Sequence, residues 1–137
     1  HDHCTQGIMF MKLFLSLAVA LMMLSLTALA ESSGQTGKLF HVVSLKFKPG
    51  TDAAEIKKVE NAIRDLKTKI PGIVSLEWGT NVSPEKHDKG FTHCFILTFK
   101  SEKDRDAYLP HPEHKKFGAI LVPVMEDVFV IDFWAKE

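Results

Sequence analysis

Apolar and polar positions alternate along Leu39 to Lys48, with His41, Val43, Leu45 and Phe47 on one side, and this predicts a strand ended by Pro49-Gly50. Beyond it Ile56, Val59, Ile63, Leu66 and Ile70 recur in steps of three and four, the spacing of one helix face. Asp52 with Glu55 three residues on is the expected N-cap, and Glu60 to Arg64 and Asp65 to Lys69 are spaced as exposed ion pairs. Pro71-Gly72 stops this helix. Ile73 to Val82, carrying Trp78, suits a second strand, and Ser83 to Gly90 is a polar loop whose His87 should face solvent. A third strand, Phe91 to Lys100, keeps Phe91, His93, Phe95, Leu97 and Phe99 in phase. Ser101 and Asp104 can cap a short helix ending near Tyr108. Pro112 suits the first position of another, because its missing N–H would have had no partner there. That helix should run to about Val122, where Pro123 stops it, and Val128 to Trp134 is the last strand, apolar at nearly every position.

The order β-α-β-β-α-β, with the second helix broken, predicts an α+β, ferredoxin-like protomer with helices on one sheet face. The third strand places Cys94 and Ile96 on the other face, and the last strand is apolar on both. A second copy is the simplest cover for such a face, so a homodimer through the sheet faces is predicted.

The chain has 137 residues with 17 Lys plus Arg against 17 Asp plus Glu, a balance that argues against nucleic acid or an anionic membrane surface as partner. Met11-Lys12, the apolar run Leu13 to Leu26 and the small-x-small site Ala28-Leu-Ala30 read as a secretory signal peptide over 11–30, cleaved near Ala30. Residues 1–10 are then upstream sequence, with Met9 or Met11 as the start, and Glu31 to Lys38 a flexible leader before a single domain over 39–137. This implies a secreted or periplasmic protein with no membrane contact after cleavage. Cys94 is the one cysteine past the cleavage site; it has no internal disulfide partner, and its apolar strand suggests a buried, inert thiol.

The candidate chemistry lies in Tyr108-Leu-Pro-His-Pro-Glu-His-Lys-Lys-Phe117. His114 shares a helix face with Phe117 and Leu121, while His41 and His93 share strand faces with apolar residues, so three histidines point inward. A histidine titrates near about 6.5 and a tyrosine near about 10, so His114 can act as a base and Tyr108 as a donor to a developing oxyanion, with no cofactor. Three readings are compatible with these residues. They line a small-molecule pocket, satisfy one another in a structural cluster, or hold zinc through His111, His114, His41 and His93. Helical phase turns Glu113 away from that zinc set.

The segments Leu39 to Lys48, Gly90 to Phe99 and Tyr108 to Phe117 together resemble the stress-responsive A/B barrel domain, Dabb, over about 39–135. The resemblance implies a ferredoxin-like protomer whose dimer forms an α+β barrel. The family contains plant stress proteins and a plant polyketide cyclase. Motif by motif, the cyclase implies Tyr108 and His114 as the catalytic pair and His41 and His93 as the strand histidines that contact substrate. His111 matches the first histidine of its His-Pro-x-His motif and is expected to bind substrate with them. The signal peptide is a departure from that cyclase.

Overall fold

The computed structural model describes residues 37–137; the expected signal peptide and residues 31–36 of the leader lie outside the described residues. The chain forms β1 (Leu39–Phe47), α1 (Ala53–Lys69), β2 (Ile73–Thr80), β3 (His93–Phe99), α2 (Glu102–Tyr108), α3 (Pro112–Leu121) and β4 (Met125–Trp134). All strand pairs are antiparallel in the order β2-β3-β1-β4, which is the ferredoxin-like sheet.

The α1 stripe closes the core as its spacing requires, with Val59, Ile63 and Leu66 buried against the sheet. The surface of α1 differs from expectation. Asp52 occupies the N-cap in an extended conformation but makes no side-chain cap bond; Thr51 Oγ1 instead donates to the Lys48 carbonyl at 2.6 Å. The i,i+4 pairs do not form, and three of the four partners have other contacts. Glu60 meets His93, Arg64 lies 5.8 Å from the Trp78 ring centre, and Lys69 reaches Glu113 at 3.8 Å. Gly72 ends the turn after α1 at φ +102°, where a Cβ would also sit 3.2 Å from Asp104.

Strand boundaries shift where the chain turns. β2 stops at Thr80 and β3 starts at His93, since residues 81–92 close on themselves through Asn81 N to Thr92 O (2.8 Å) and Phe91 N to Asp88 O (2.9 Å). β4 starts at Met125, earlier than expected, because a bulge at Lys46/Phe47 lets Met125 pair with Phe47.

The helix-side face of the sheet is the core: Leu39, Val43 and Leu45 from β1, with Phe95, Leu97 and Phe99 from β3. The opposite face carries Phe40, Val42, Ile96, Phe129, Ile131 and Phe133, and the last of these packs on Phe40 at 5.3 Å. Cys94 lies on this face half-buried rather than buried. As an edge strand β4 is open on both sides: Val130, which points to the helix side, is 49% exposed, and Phe129, which points away, is 52% exposed. No helix among the described residues is long and apolar enough to cross a membrane.

Leu97 is fully buried at the centre of this core. Leu97→Ala should lower unfolding free energy by about 3 kcal/mol, read as a shift of the urea midpoint at constant m.

Candidate functional site

The break between α2 and α3 builds the site. Ser101 Oγ accepts from Asp104 N at 3.1 Å and starts α2, which is seven residues long and delivers Tyr108 at its end. His111 then caps α3: its Nδ1 accepts from Glu113 N at 3.1 Å, and Pro112 takes the first helical position. With both helices pinned, the Tyr108 and His114 rings meet at 4.5 Å, and Tyr108 also packs against His41 (5.6 Å) and Phe99 (5.3 Å).

Acceptor-only partners fix the tautomers of both flanking histidines. His114 Nδ1 lies 2.9 Å from the Leu109 carbonyl, and His41 Nδ1 lies 2.6 Å from Asp132 Oδ1. A carbonyl or carboxylate cannot donate, so each Nδ1 carries the proton and each neutral ring keeps its lone pair on Nε2. Among the described residues neither Nε2 has a hydrogen-bonding partner, nor does the Tyr108 hydroxyl, although Tyr108 is only 1% exposed.

Burial sets the proton affinities here. It pushes the Tyr108 phenol well above its ordinary value, so the group stays protonated. It also holds His114 below the usual imidazole range; the Leu109 bond opposes this and the nearby His41 reinforces it.

Asp132 and Arg105 belong to this site and were not anticipated from sequence. Asp132 Oδ2 takes a hydrogen bond from Arg105 Nη1 while Oδ1 holds His41. Asp132 was readable in principle, as the one carboxylate in the apolar run Val128 to Trp134.

The structure does not bring His93 to this cluster. His41 pairs with Leu97 and His93 with Leu45, so the two histidines sit four register steps apart, roughly 13 Å along the strands. His93 Nε2 donates to Glu60 Oε1 at 3.1 Å, its Nδ1 accepts from the Thr92 hydroxyl at 2.8 Å, and its ring stacks on Trp78 at 6.2 Å. Burial pushes the Glu60 carboxyl up, but the bonds from His93 and Lys57 outweigh it and hold the group below its ordinary value. His111 is occupied as a helix cap, and Glu113 turns to Lys116 at 2.9 Å. No three His, Cys, Asp or Glu side chains converge as metal ligands among the described residues.

Comparison with known proteins follows the same boundaries. The Stress responsive A/B Barrel Domain family matches residues 39–135. The chain belongs to this family. Stress-response A/B barrel domain-containing protein HS1 of Arabidopsis thaliana is 32% identical over 97 residues, covering 71% of this chain and 89% of that protein. Olivetolic acid cyclase of Cannabis sativa is 28% identical over 97 residues, covering 71% of this chain and 96% of the cyclase. Among solved structures, a dimeric ferredoxin-like protein from Jannaschia sp. CCS1 superposes with a TM-score of 0.64 at 25% identity, covering 72% of this chain and all (100%) of that one.

In this A/B barrel domain a groove of about 710 Å³ lies on the open sheet face, away from Tyr108. Trp78, Phe91, His93, Cys94, Ile96 and Phe129 line it, and the exposed His87 also borders it. None of Tyr108, His114 and His41 contributes to it. The concavity and the acid-base cluster are separate features of the protomer.

Tyr108 is the single tyrosine of the chain, so phenolate absorbance reports it alone. The unfolded chain should ionise near about pH 10. In the folded chain absorbance should stay flat past that pH, and the stability supplied by the protonated phenol should fall as pH rises above it. His114 has the opposite sign. Its folded-state affinity is depressed, so the unfolded chain binds its proton more readily, and stability is lost as pH falls below about 6.5. His114→Gln should flatten the fall in urea midpoint between about pH 7 and about pH 5.

Proposed function

We propose that the domain works as an exported homodimer whose Tyr108–His114–His41 cluster binds a small, partly apolar carbonyl or phenolic compound and performs acid-base chemistry on it without a cofactor. One observation carries the reading. A phenol 1% exposed packs against two imidazoles whose Nδ1 protons are committed and whose Nε2 atoms have no hydrogen-bonding partner among the described residues. In this scheme Tyr108, kept protonated by burial, donates to an oxygen that gains negative charge. His114, kept neutral by burial, takes a proton from the adjacent carbon or hydroxyl at Nε2. Phe99 and Phe117 supply apolar walls that strengthen both interactions by excluding water. Ring closure by proton abstraction beside a carbonyl fits this arrangement, and a relative named as a cyclase supports it.

Pairing of two sheet faces is supported by the exposed Phe129, Ile131 and Phe133 and by relatives of solved structure described as dimeric. Export rests on the charged start, apolar run and Ala28-Leu-Ala30 site, which would release a chain beginning near Glu31. In the dimer the part of the groove at Ile96 and Phe129 belongs to the subunit interface.

A second reading is a non-catalytic stress-response dimer whose histidines only stabilise the fold. It is favoured by one fact: no side-chain polar atom among the described residues is both fully enclosed and without a hydrogen-bonding partner, so the unpartnered atoms of Tyr108, His114 and His41 still reach solvent.

Native mass spectrometry of the exported protein separates the two. The catalytic reading expects a dimer with extra organic mass, lost in Tyr108→Phe and His114→Gln while the dimer persists. A dimer that is empty in the unaltered protein, and whose melting temperature drops sharply in both variants, supports the structural reading instead. Ile131→Glu, on the open face and 46% exposed in the protomer, should convert the dimer to monomer.

A further inference from the structure

The contact between His41 and Asp132 has a third member that the scheme above leaves unused. Arg105, on α2, binds the second oxygen of the same carboxylate, and α2 also carries Tyr108. The three side chains are sheltered, with exposures of 7% for His41, 23% for Asp132 and 19% for Arg105. Arg105 Nε is held in turn by Asp106 Oδ1 at 2.8 Å, which fixes the plane of the guanidinium. Glu102, one turn earlier, accepts from Trp134 Nε1 at 3.4 Å and fastens α2 to the same strand that carries Asp132.

The physical consequence follows from charge. A carboxylate facing a lone imidazole favours the imidazolium and so retains the proton a base would have to release. A guanidinium on its other oxygen opposes that pull at short range in a sheltered setting. The groups around His41 are Asp132 from β4, Arg105 and Tyr108 from α2, and His114 from α3, while β3 contributes the apolar Phe99. Arg105 is therefore the cation that balances Asp132 in this group.

We propose that Asp132 and Arg105 are paired positioning residues: Asp132 fixes His41 with its Nε2 bare beside Tyr108, and Arg105 offsets the carboxylate's charge so that His41 is a neutral proton acceptor. The site then holds two imidazole acceptors in contact with a single donor phenol. This inference deepens the acid-base reading and rests on it, but its test needs neither ligand nor turnover, so the two can fail separately.

The test is long-range nitrogen–proton NMR of the imidazoles in the full chain labelled with ¹⁵N-histidine, with His41 assigned through His41→Gln. In the unaltered protein at neutral pH, His41 should show a protonated Nδ1 and a bare Nε2. Arg105→Met should raise the ratio of imidazolium to neutral His41 at pH 7 by about tenfold, and Arg105→Lys should restore most of the difference. Asp132→Asn should release the tautomer and populate the form protonated on Nε2. Finding His41 protonated on Nε2 in the unaltered protein overturns the proposal, as does an unchanged ratio in Arg105→Met. Should Arg105→Met fail to fold, Arg105→Gln, which keeps a donor and removes the charge, carries the same comparison.

Discussion

Burying one phenol at the end of a short helix sets the conditions for everything around it. Tyr108 gives its ring to the core, where it packs on Phe99, but its hydroxyl cannot be treated as apolar surface. Polar side chains must therefore enter the core beside it, and they bring needs of their own. His41 needs an acceptor and finds Asp132; Asp132 needs a cation and finds Arg105; His114 finds the carbonyl of Leu109. The chain of requirements ends at Arg105, whose outer contact is the exposed Asp106. Each link ties a different element to the next, so the cluster also registers α2 and α3 on the sheet.

Much of this was legible in the sequence because the relevant signals are local. The α1 stripe, the inward parity of His41 and His93, the Ser101 cap and the start of α3 at Pro112 all depend on residues within a few positions of one another. The capping role of His111 was missed because His is seldom an N-cap, although it precedes Pro112 where a cap belongs. What parity could not give was position along the sheet. His41 and His93 are both inward, but antiparallel register carries them apart, and no spacing within either strand encodes that. The ion pair of Arg105 and Asp132 spans 27 residues of sequence and forms only once α2 lies against β4. The expected i,i+4 pairs on α1 failed for the same reason, since tertiary partners such as His93 and Trp78 outcompeted exposed neighbours worth only a few tenths of a kcal/mol.

Two surfaces with different tasks emerge from one sheet. Toward the helices it holds a core interrupted by two polar clusters, the Tyr108 group at one end and His93 with Glu60 at the other. The His93 ring has both nitrogens engaged, so it reads as an internal brace, whereas the Tyr108 group leaves lone pairs unspent among the described residues. Away from the helices the sheet presents apolar side chains and a groove, the form expected of a face that meets another subunit.

In the function proposed above, the Tyr108 hydroxyl is kept for a ligand and not for the fold. The most direct test is the unfolding free energy of Tyr108→Phe in urea at neutral pH, compared with the unaltered chain. If the hydroxyl makes no stabilising bond within the protein, removing it should change stability by less than about 0.5 kcal/mol. A loss of about 1 to 2 kcal/mol would show a structural hydrogen bond at that oxygen and contradict the account.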